Sequence, residues 1–320
     1  MKYPQEQYPK ISVITVVYNG AKFIERAINS LLSQKYPNIE FLVLDAVSTD
    51  GTLDIIEKYK GHIDYFRSRK DNGPHEAINE GITNSTGSVI ALLNSDDYFN
   101  EGALLKVGEA FIENPEMEMV SVLGKIISQN SKDDDSMISN IPMDISNGNV
   151  PSLMTNCRFY HKSLFDKYGK FIEDINGKSA RYSDYELITR FSLFNIKNMT
   201  IPFCGYTYVA HEGSVTFNTN KYTKLGILDE NAHYIEGLLK NYSHLMDKKL
   251  INSFNKKLAK SYKGRVVKNI TDKQYGEALK NIKFGTSKFG ITFPFGVARY
   301  FISYHFRFKN IIKKYFRSKA

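Results

Sequence analysis

The chain has 320 residues, 42% of them hydrophobic and 24% charged, so it carries enough apolar material for a real core and is not globally disordered. Its net charge of +9 is uneven: acids are frequent in the first half, whereas Lys and Arg dominate from Lys248 to Lys319, which suits an anionic partner, either nucleic acid or a membrane surface. The two cysteines, Cys157 and Cys204, lack CxxC spacing, which excludes a disulfide framework and fits a reducing cytosol; "MKYPQEQYPK" has no apolar leader, and no run of about 18 apolar residues predicts a transmembrane helix.

In chain order, "ISVITVVYN" (11–19) reads as a strand buried on both faces. "AKFIERAINSLLSQKYP" follows as a helix, with Phe23, Ile24, Ala27, Ile28, Leu31 and Leu32 at helical spacing and Pro37 as its stop. "IEFLVLDA" (39–46) is a second buried strand, "STDGTLDIIEKYKG" a turn and a helix over 52–60, and "HIDYFRS" a weaker third strand. "HEAINEGITNSTG" reads as a helix closed by Gly87, and "SVIALLNSDD" as a fourth strand. This alternation predicts βαβ units and an α/β fold, a mostly parallel sheet with helices on both faces. A helix over 101–113 and a strand near 117–128 come next. Residues 128–152 are polar and turn-rich and read as a long loop. "CRFYHKSLFDKYGKF" resumes structure, 182–195 is a helix, 199–210 a strand, and from about Thr223 onward the chain reads as helices ending in a basic, aromatic segment.

Open parallel sheets bind ligands beyond the carboxyl ends of their strands. Three polar clusters fall there: Tyr18–Asn19, Asp45 with "VSTDGT", and Asn94–Ser95–Asp96–Asp97. Neither GxGxxG nor GxxxxGK[ST] occurs, which disfavours a dinucleotide fingerprint and a P-loop. A phosphate-bearing ligand then calls for a metal ion, and adjacent Asp96 and Asp97 supply hard oxygen ligands suited to Mg²⁺ or Mn²⁺.

In order, "ISVITVVYNGAKFIERAINSLLSQKYPNIEFLVLDAVSTDGTLDIIEKY" and "KDNGPHEAINEGITNSTGSVIALLNSDDYF" resemble the nucleotide-sugar half of family 2 glycosyltransferases of GT-A fold. The resemblance is collinear over about residues 10–115, weakens toward 215, and looks most like bacterial enzymes of capsule, O-antigen and exopolysaccharide synthesis. It implies a Rossmann-like GT-A catalytic domain over 1–220, with a nucleotide-sugar half (about 10–115) and an acceptor half (about 116–220), followed by a helical, basic region over 221–320. By position, Thr15, Val17 and Tyr18 match residues lining uracil and ribose, with Asn19 beside them. Asp45 matches the first acid of the D-[DG]-x-S-x-D-x-T motif, where Ala46 replaces the usual Asp or Gly. Asp71 matches a motif position near the nucleotide. Ser95-Asp96-Asp97 matches the DxD-like motif with its first Asp replaced. Asp96 is expected at the ribose or metal, after Asn94, and Asp97 on the metal. Asp184 matches the general base, Arg190 follows on the same helix, and "HEGSVTFN" (211–218) sits where relatives have a loop near the acceptor. His211 is a further candidate for the metal or diphosphate.

The implied activity is inverting transfer of a sugar from a nucleotide sugar, UDP-linked by resemblance, to a glycan or lipid-linked hydroxyl, aided by Mn²⁺ or Mg²⁺. Rivals are a nucleotidyltransferase, although "YNGAKF" lacks the glycine- and basic-rich loop such an enzyme wants, and a non-catalytic scaffold of the same fold. Plainer readings stand beside the functional ones. Ser48 or Asp50 suits the N-cap of helix 52–60, Ser183 or Asp184 that of the helix from Tyr185, and Glu186 competes as base. Arg190 reads equally as a surface residue, His75 as structural or exposed, the cysteines as inert packing, and Asp133–Asp135 as a solvated run. The basic end suits peripheral contact with the inner face of the cell membrane, or packing on the catalytic domain or on a second copy of the chain. No motif for specific nucleic-acid binding appears.

Overall fold

Strands β1 (Ile11–Val17) and β2 (Ile39–Asp45) pair in parallel, Ile11 opposite Ile39 and Val17 opposite Asp45. Both are largely apolar and buried, as strands covered by helices on two faces must be. Helix α1 (Ile24–Leu32) connects them and turns Ile24, Ala27, Ile28 and Leu31 inward at helical spacing. Helix α2 (Thr52–Lys58), strand β3 (Tyr65–Ser68), helix α3 (Pro74–Asn84) and strand β4 (Val89–Leu92) complete the alternation, with β3 parallel to β2 and β4 parallel to β1. Strand β4 stops at Leu92; Asn94–Asp97 form a turn in which the Asp97 amide donates to the Asn94 carbonyl at 3.2 Å. The computed structural model describes residues 1–128, 136–138, 155–175, 178–179, 182–211 and 224–301.

Beyond β4 come β5 (Tyr98–Phe99), α4 (Ala103–Glu113), β6 (Met119–Ser128), β7 (Ser136–Ile138), β8 (Arg158–His161), α5 (Ser163–Tyr168), β9 (Asp174–Ile175), β10 (Lys178–Ser179), α6 (Ser183–Leu193) and β11 (Asn198–Ala210). The main sheet runs β3-β2-β1-β4-β8-β6-β11-β5, with β7 against β6; β9 and β10 pair separately. Strand β8 is antiparallel to both neighbours, β4 and β6. The sheet is therefore parallel through β1–β4 and mixed beyond. Four residues with no crossover helix gave no periodic sign of such an insertion. The predicted loop 128–152 lies mostly outside the described residues; within it, β7 pairs antiparallel with residues 124–126.

Two apolar layers sandwich the sheet. Helices α1, α2 and α4 cover one face with Ile24, Ile28, Ile56, Leu104 and Val107; α3, α5 and α6 cover the other with Ile78, Ile82, Leu164, Leu187 and Phe191. Each such side chain, fully buried, contributes about 1.5–3 kcal/mol before the entropy of ordering is counted. Gly81 lets α3 lie close on β1: a Cβ there would meet Ile14 Cγ2 at 2.7 Å. That close approach fixes where the first turn of α3 sits.

The chain divides into two compact units, Met1–Asn218 and Thr219–Ala320. In the second, α7 (Lys224–Tyr242), α8 (Lys248–Thr271) and α9 (Tyr275–Phe289) follow in order. Asp247 caps α8 by accepting from the Leu250 amide at 2.7 Å. Leu250, Phe254, Leu258, Tyr262 and Val266 line the buried stripe of α8 at four-residue steps. Among the described residues, no helix is long and apolar enough to cross a membrane.

Candidate active site

Strand direction decides which residues can meet. Strands β1, β2, β3 and β4 share one direction; β8 reverses it, and β6 and β11 restore it. The carboxyl ends of β1–β4, β6 and β11 therefore lie on one edge with the start of β8. That edge carries Tyr18–Asn19, Asp45, the start of α3, the Asn94–Asp97 turn, Thr155 and His211.

The loops after β1 and β2 are tied to each other. The Asn19 amide donates to Ser48 Oγ at 2.8 Å, the Gly20 amide to Thr52 Oγ1 at 2.9 Å, and the Ala21 amide to Asp50 Oδ2 at 3.0 Å. Thr49 returns the bond, its amide donating to Asn19 Oδ1 at 2.9 Å. The "STDGT" segment ties the loop after β1 to the start of α2, but neither Ser48 nor Asp50 occupies the expected N-cap position. Gly51, at φ 94°, occupies the N-cap position of α2, and Asp50 Oδ1 accepts from the Thr52 amide at 3.1 Å. Gly20 packs on Val17, with Ser95 next to it, so the β1 and β4 ends touch. Val17 is buried, whereas Tyr18, 67% exposed, and Asn19 face solvent.

Several predicted ligand contacts are enclosed instead. Thr15 has no exposed surface and its Oγ1 has no partner. Asp45 is fully buried too: Oδ2 accepts from the Ser48 amide at 3.0 Å and Ser68 Oγ at 2.6 Å, while Oδ1 has no partner. Asp71 is held by both terminal nitrogens of Arg67 at 3.1 Å and accepts from the Gly73 amide at 3.1 Å, so it shapes the turn before α3 rather than facing solvent.

The adjacent acids part company. Asp97 is fully buried, with Oδ2 accepting from Tyr206 Oη at 2.8 Å and Asn94 Nδ2 at 3.1 Å, and Oδ1 from the Val209 amide at 2.9 Å. Burial first, then the charge of Asp96, push its pKa up to about 7 against the pull of these donors. Where the sequence reading expected a metal ligand, both Asp97 oxygens join the turn to β11 and Asn94. Asp96 is the accessible acid. Its carboxylate meets His211 Nε2 at 2.9 Å, its carbonyl accepts from Arg26 at 2.6 Å, and Phe23 lies against the His211 ring with centroids 4.4 Å apart. A carboxylate oxygen and an imidazole nitrogen at one spot, each partly exposed, are a donor pair that fits Mn²⁺ or Mg²⁺ once phosphate oxygens and water complete the set. Among the described residues no group of three protein ligands occurs.

Asp184 lies inside the first turn of α6, whose N-cap position is Tyr182, so neither Ser183 nor Asp184 caps the helix. Its carboxylate is 36% exposed; Oδ1 accepts from Thr155 Oγ1 at 3.3 Å and lies 3.7 Å from His75 Nε2. Glu186 is buried, and its pKa is raised by burial despite the pull of Arg190, so it does not compete as base. Arg190 is not the surface residue that the plainer reading allowed. Buried at 4% exposure, its guanidinium bonds Glu186 at 2.7 Å, the Lys170 carbonyl at 2.7 Å and the Tyr168 carbonyl. It clamps the 168–170 turn. His75, read from sequence as structural or exposed, is buried at the start of α3, and a single histidine opening a helix has no motif to mark a further role. Residues 212–218 of the predicted acceptor loop lie outside the described residues.

The family model described as Glycosyl transferase family 2 matches residues 12–169. A poly(ribitol-phosphate) beta-N-acetylglucosaminyltransferase, TarS of Staphylococcus aureus, is 35% identical over 118 residues, covering 35% of this chain and 20% of TarS. The teichuronic acid biosynthesis glycosyltransferase TuaG of Bacillus subtilis, itself a putative assignment, is 34% identical over 110 residues, covering 33% of this chain and 43% of TuaG. The matched stretch thus spans less than half the length of either relative. A TarS fragment in complex with UDP-GlcNAc superimposes with a TM-score of 0.60 at 19% identity, covering 87% of this chain and 81% of that one. The mannosyltransferase PcManGT of Pyrobaculum calidifontis, with GDP-Man and Mn²⁺, superimposes at 0.54 and 15% identity, covering 94% and 91%. The shared architecture is the GT-A fold.

Proposed function

We propose that the chain, whose residues 12–169 match the family 2 glycosyltransferase model, moves a sugar from a UDP-linked donor to a hydroxyl of a glycan or lipid-linked acceptor in cell-surface polysaccharide synthesis, with inversion. The observation that carries the reading is the single sheet edge bearing both an accessible Asp96–His211 pair and an accessible Asp184. The likeness to TarS and TuaG supports the polysaccharide context, and the UDP-GlcNAc complex of TarS supports the donor class. Asp45 Oδ1 at the β2 end has no hydrogen-bond partner, which leaves an acceptor unused at the edge proposed to bind the donor.

Asp96 and His211 would hold a divalent ion, Mn²⁺ or Mg²⁺, which when bound supplies the charge that stabilises a departing diphosphate. Asp184 takes the proton of the acceptor hydroxyl as its oxygen bonds to C1 of the sugar. The C1–O bond to the diphosphate breaks on the opposite face, and its electron pair leaves with the nucleoside diphosphate. No enzyme nucleophile is needed, so an α-linked donor yields a β-glycoside. In the second unit, Leu279, Ile291 and Phe295 are exposed beside Lys280, Lys283 and Arg299; this mixture supports peripheral contact with an anionic membrane surface, to be read by co-sedimentation with anionic vesicles.

The test is turnover of UDP-GlcNAc with Mn²⁺, followed by UDP release and by the anomeric configuration of the product. Asp184→Asn should lower turnover by about 10²–10⁴-fold with little change in UDP affinity. Full turnover in that variant, or a product of retained configuration, would remove Asp184 from the base role.

A further inference from the structure

His75 is the second residue of α3, directly after Pro74, and its ring is only 8% exposed. It stacks on Phe171 with ring centroids 5.6 Å apart and planes 26° apart. That platform is fixed from two sides. Asn79 on α3 grips Phe171, donating to its carbonyl at 2.8 Å and accepting from its amide at 3.0 Å. Arg190 on α6 holds the Tyr168 and Lys170 carbonyls of the same turn. The imidazole therefore has a fixed place between α3 and α6, and its Nε2 points at Asp184 Oδ1, 3.7 Å away.

The other ring nitrogen decides the tautomer. Nδ1 is buried and has no hydrogen-bond partner. A hydrogen on Nδ1 would be a buried donor with nothing to receive it, and would turn a bare Nε2 lone pair toward a carboxylate. A hydrogen on Nε2 removes both penalties, because it faces Asp184. We propose that His75 is a positioning residue for the base: its Nε2–H holds Oδ1 of Asp184, fixes the orientation of that carboxylate, and leaves the other oxygen to the acceptor. Thr155 Oγ1, at 3.3 Å from the same Oδ1, completes the hold. At 3.7 Å the His75 contact is longer than a hydrogen bond, and contacts of this kind shorten when substrate fills a site. The titratable groups facing Asp184 among the described residues are His75 from α3, Tyr160 from β8 and Tyr185 beside it on α6. Both tyrosines are pushed above their ordinary value, first by burial and then by factors that include the charge of Asp184, so neither titrates in the working range.

The catalytic part of this inference rests on Asp184 as base; the contact itself does not, and two arms separate them. The first is long-range ¹H–¹⁵N NMR of the histidine rings in the full chain. The expected result is an Nε2–H tautomer for His75, with its Nε2 and Hε2 resonances displaced in Asp184→Asn. An Nδ1–H tautomer, or ring resonances unmoved by that substitution, overturns the proposal whatever the enzyme's substrate. The second arm is UDP-GlcNAc turnover with Mn²⁺. His75→Phe, which keeps the stacking ring, should lower kcat about tenfold and leave the KM for donor nearly unchanged. His75→Gln, which keeps an N–H donor, should recover most of the lost kcat. A His75→Phe variant with wild-type kcat overturns the positioning role. Turnover that survives Asp184→Asn instead overturns the base assignment, and the NMR arm still decides the contact.

Discussion

Strand β2 begins and ends with a buried carboxylate, and the two ends are built differently. At the amino end, Glu40 is enclosed by donors: Ser12 Oγ at 2.5 Å, the Thr86 amide at 2.7 Å, Thr86 Oγ1 at 2.6 Å and the Gly87 amide at 3.3 Å, with Lys10 at 3.6 Å. Burial pushes its pKa up, but the bonds from Ser12 and Thr86 outweigh this and hold it below the ordinary value. At the carboxyl end, Asp45 leaves one oxygen without a donor, as do Thr15 Oγ1 on the next strand and His75 Nδ1 at the start of α3. A structural charge is finished by the protein; the edge proposed to bind keeps valences open. An unmet buried polar group costs about 1–3 kcal/mol, so the open Asp45 oxygen is where stability gives way to the proposed binding.

The largest effect belongs to a residue of the closed kind. Arg190→Gln strands the buried Glu186 carboxylate and releases the 168–170 turn, and should cost about 3–5 kcal/mol in chemical denaturation. A variant of unchanged stability with weakened UDP binding would return Arg190 to the ligand.

Glu40→Gln comes next, at about 1.5–3 kcal/mol, with UDP affinity unchanged. Its pH dependence has a definite sign. A pKa lowered by folding gives stability that is present above the ordinary glutamate range and lost as pH falls through and below it. Denaturation from pH 7 to pH 3 should show wild type losing this increment and Glu40→Gln lacking it. Asp45→Asn is the mirror experiment, with a smaller stability cost and a larger loss of UDP affinity; equal costs at both ends would erase the contrast. The smallest effect concerns Val47, a β-branched residue held at φ 60° in the loop after Asp45. Val47→Gly should stabilise the fold by about 0.5–1 kcal/mol while loosening that loop, seen as a raised Tm with weaker UDP binding.

The alternation of apolar strands and amphipathic helices made β1–β4 legible, because period and length carry that information. Strand β8 was not, since antiparallel insertion is decided by tertiary pairing rather than by local pattern. The chemistry divides the same way. Sequence placed Asp96, Asp97 and Asp184 at element ends but did not tell which carboxylates are sealed. Asp97 is closed by Tyr206 and Val209, more than a hundred positions away, and Arg190 by a turn some twenty residues upstream. His75 needed the approach of α3 to α6 before it had anything to face.

The most direct test of the open edge is calorimetric titration of UDP, with and without Mn²⁺, into wild type, Asp96→Asn and Asp97→Asn. The account predicts that Mn²⁺ tightens UDP binding to wild type by tenfold or more, on the order of 1.4 kcal/mol. It predicts that Asp96→Asn abolishes the enhancement, and that Asp97→Asn lowers stability while keeping it in whatever fraction stays folded. UDP binding indifferent to both Mn²⁺ and Asp96 would contradict the account.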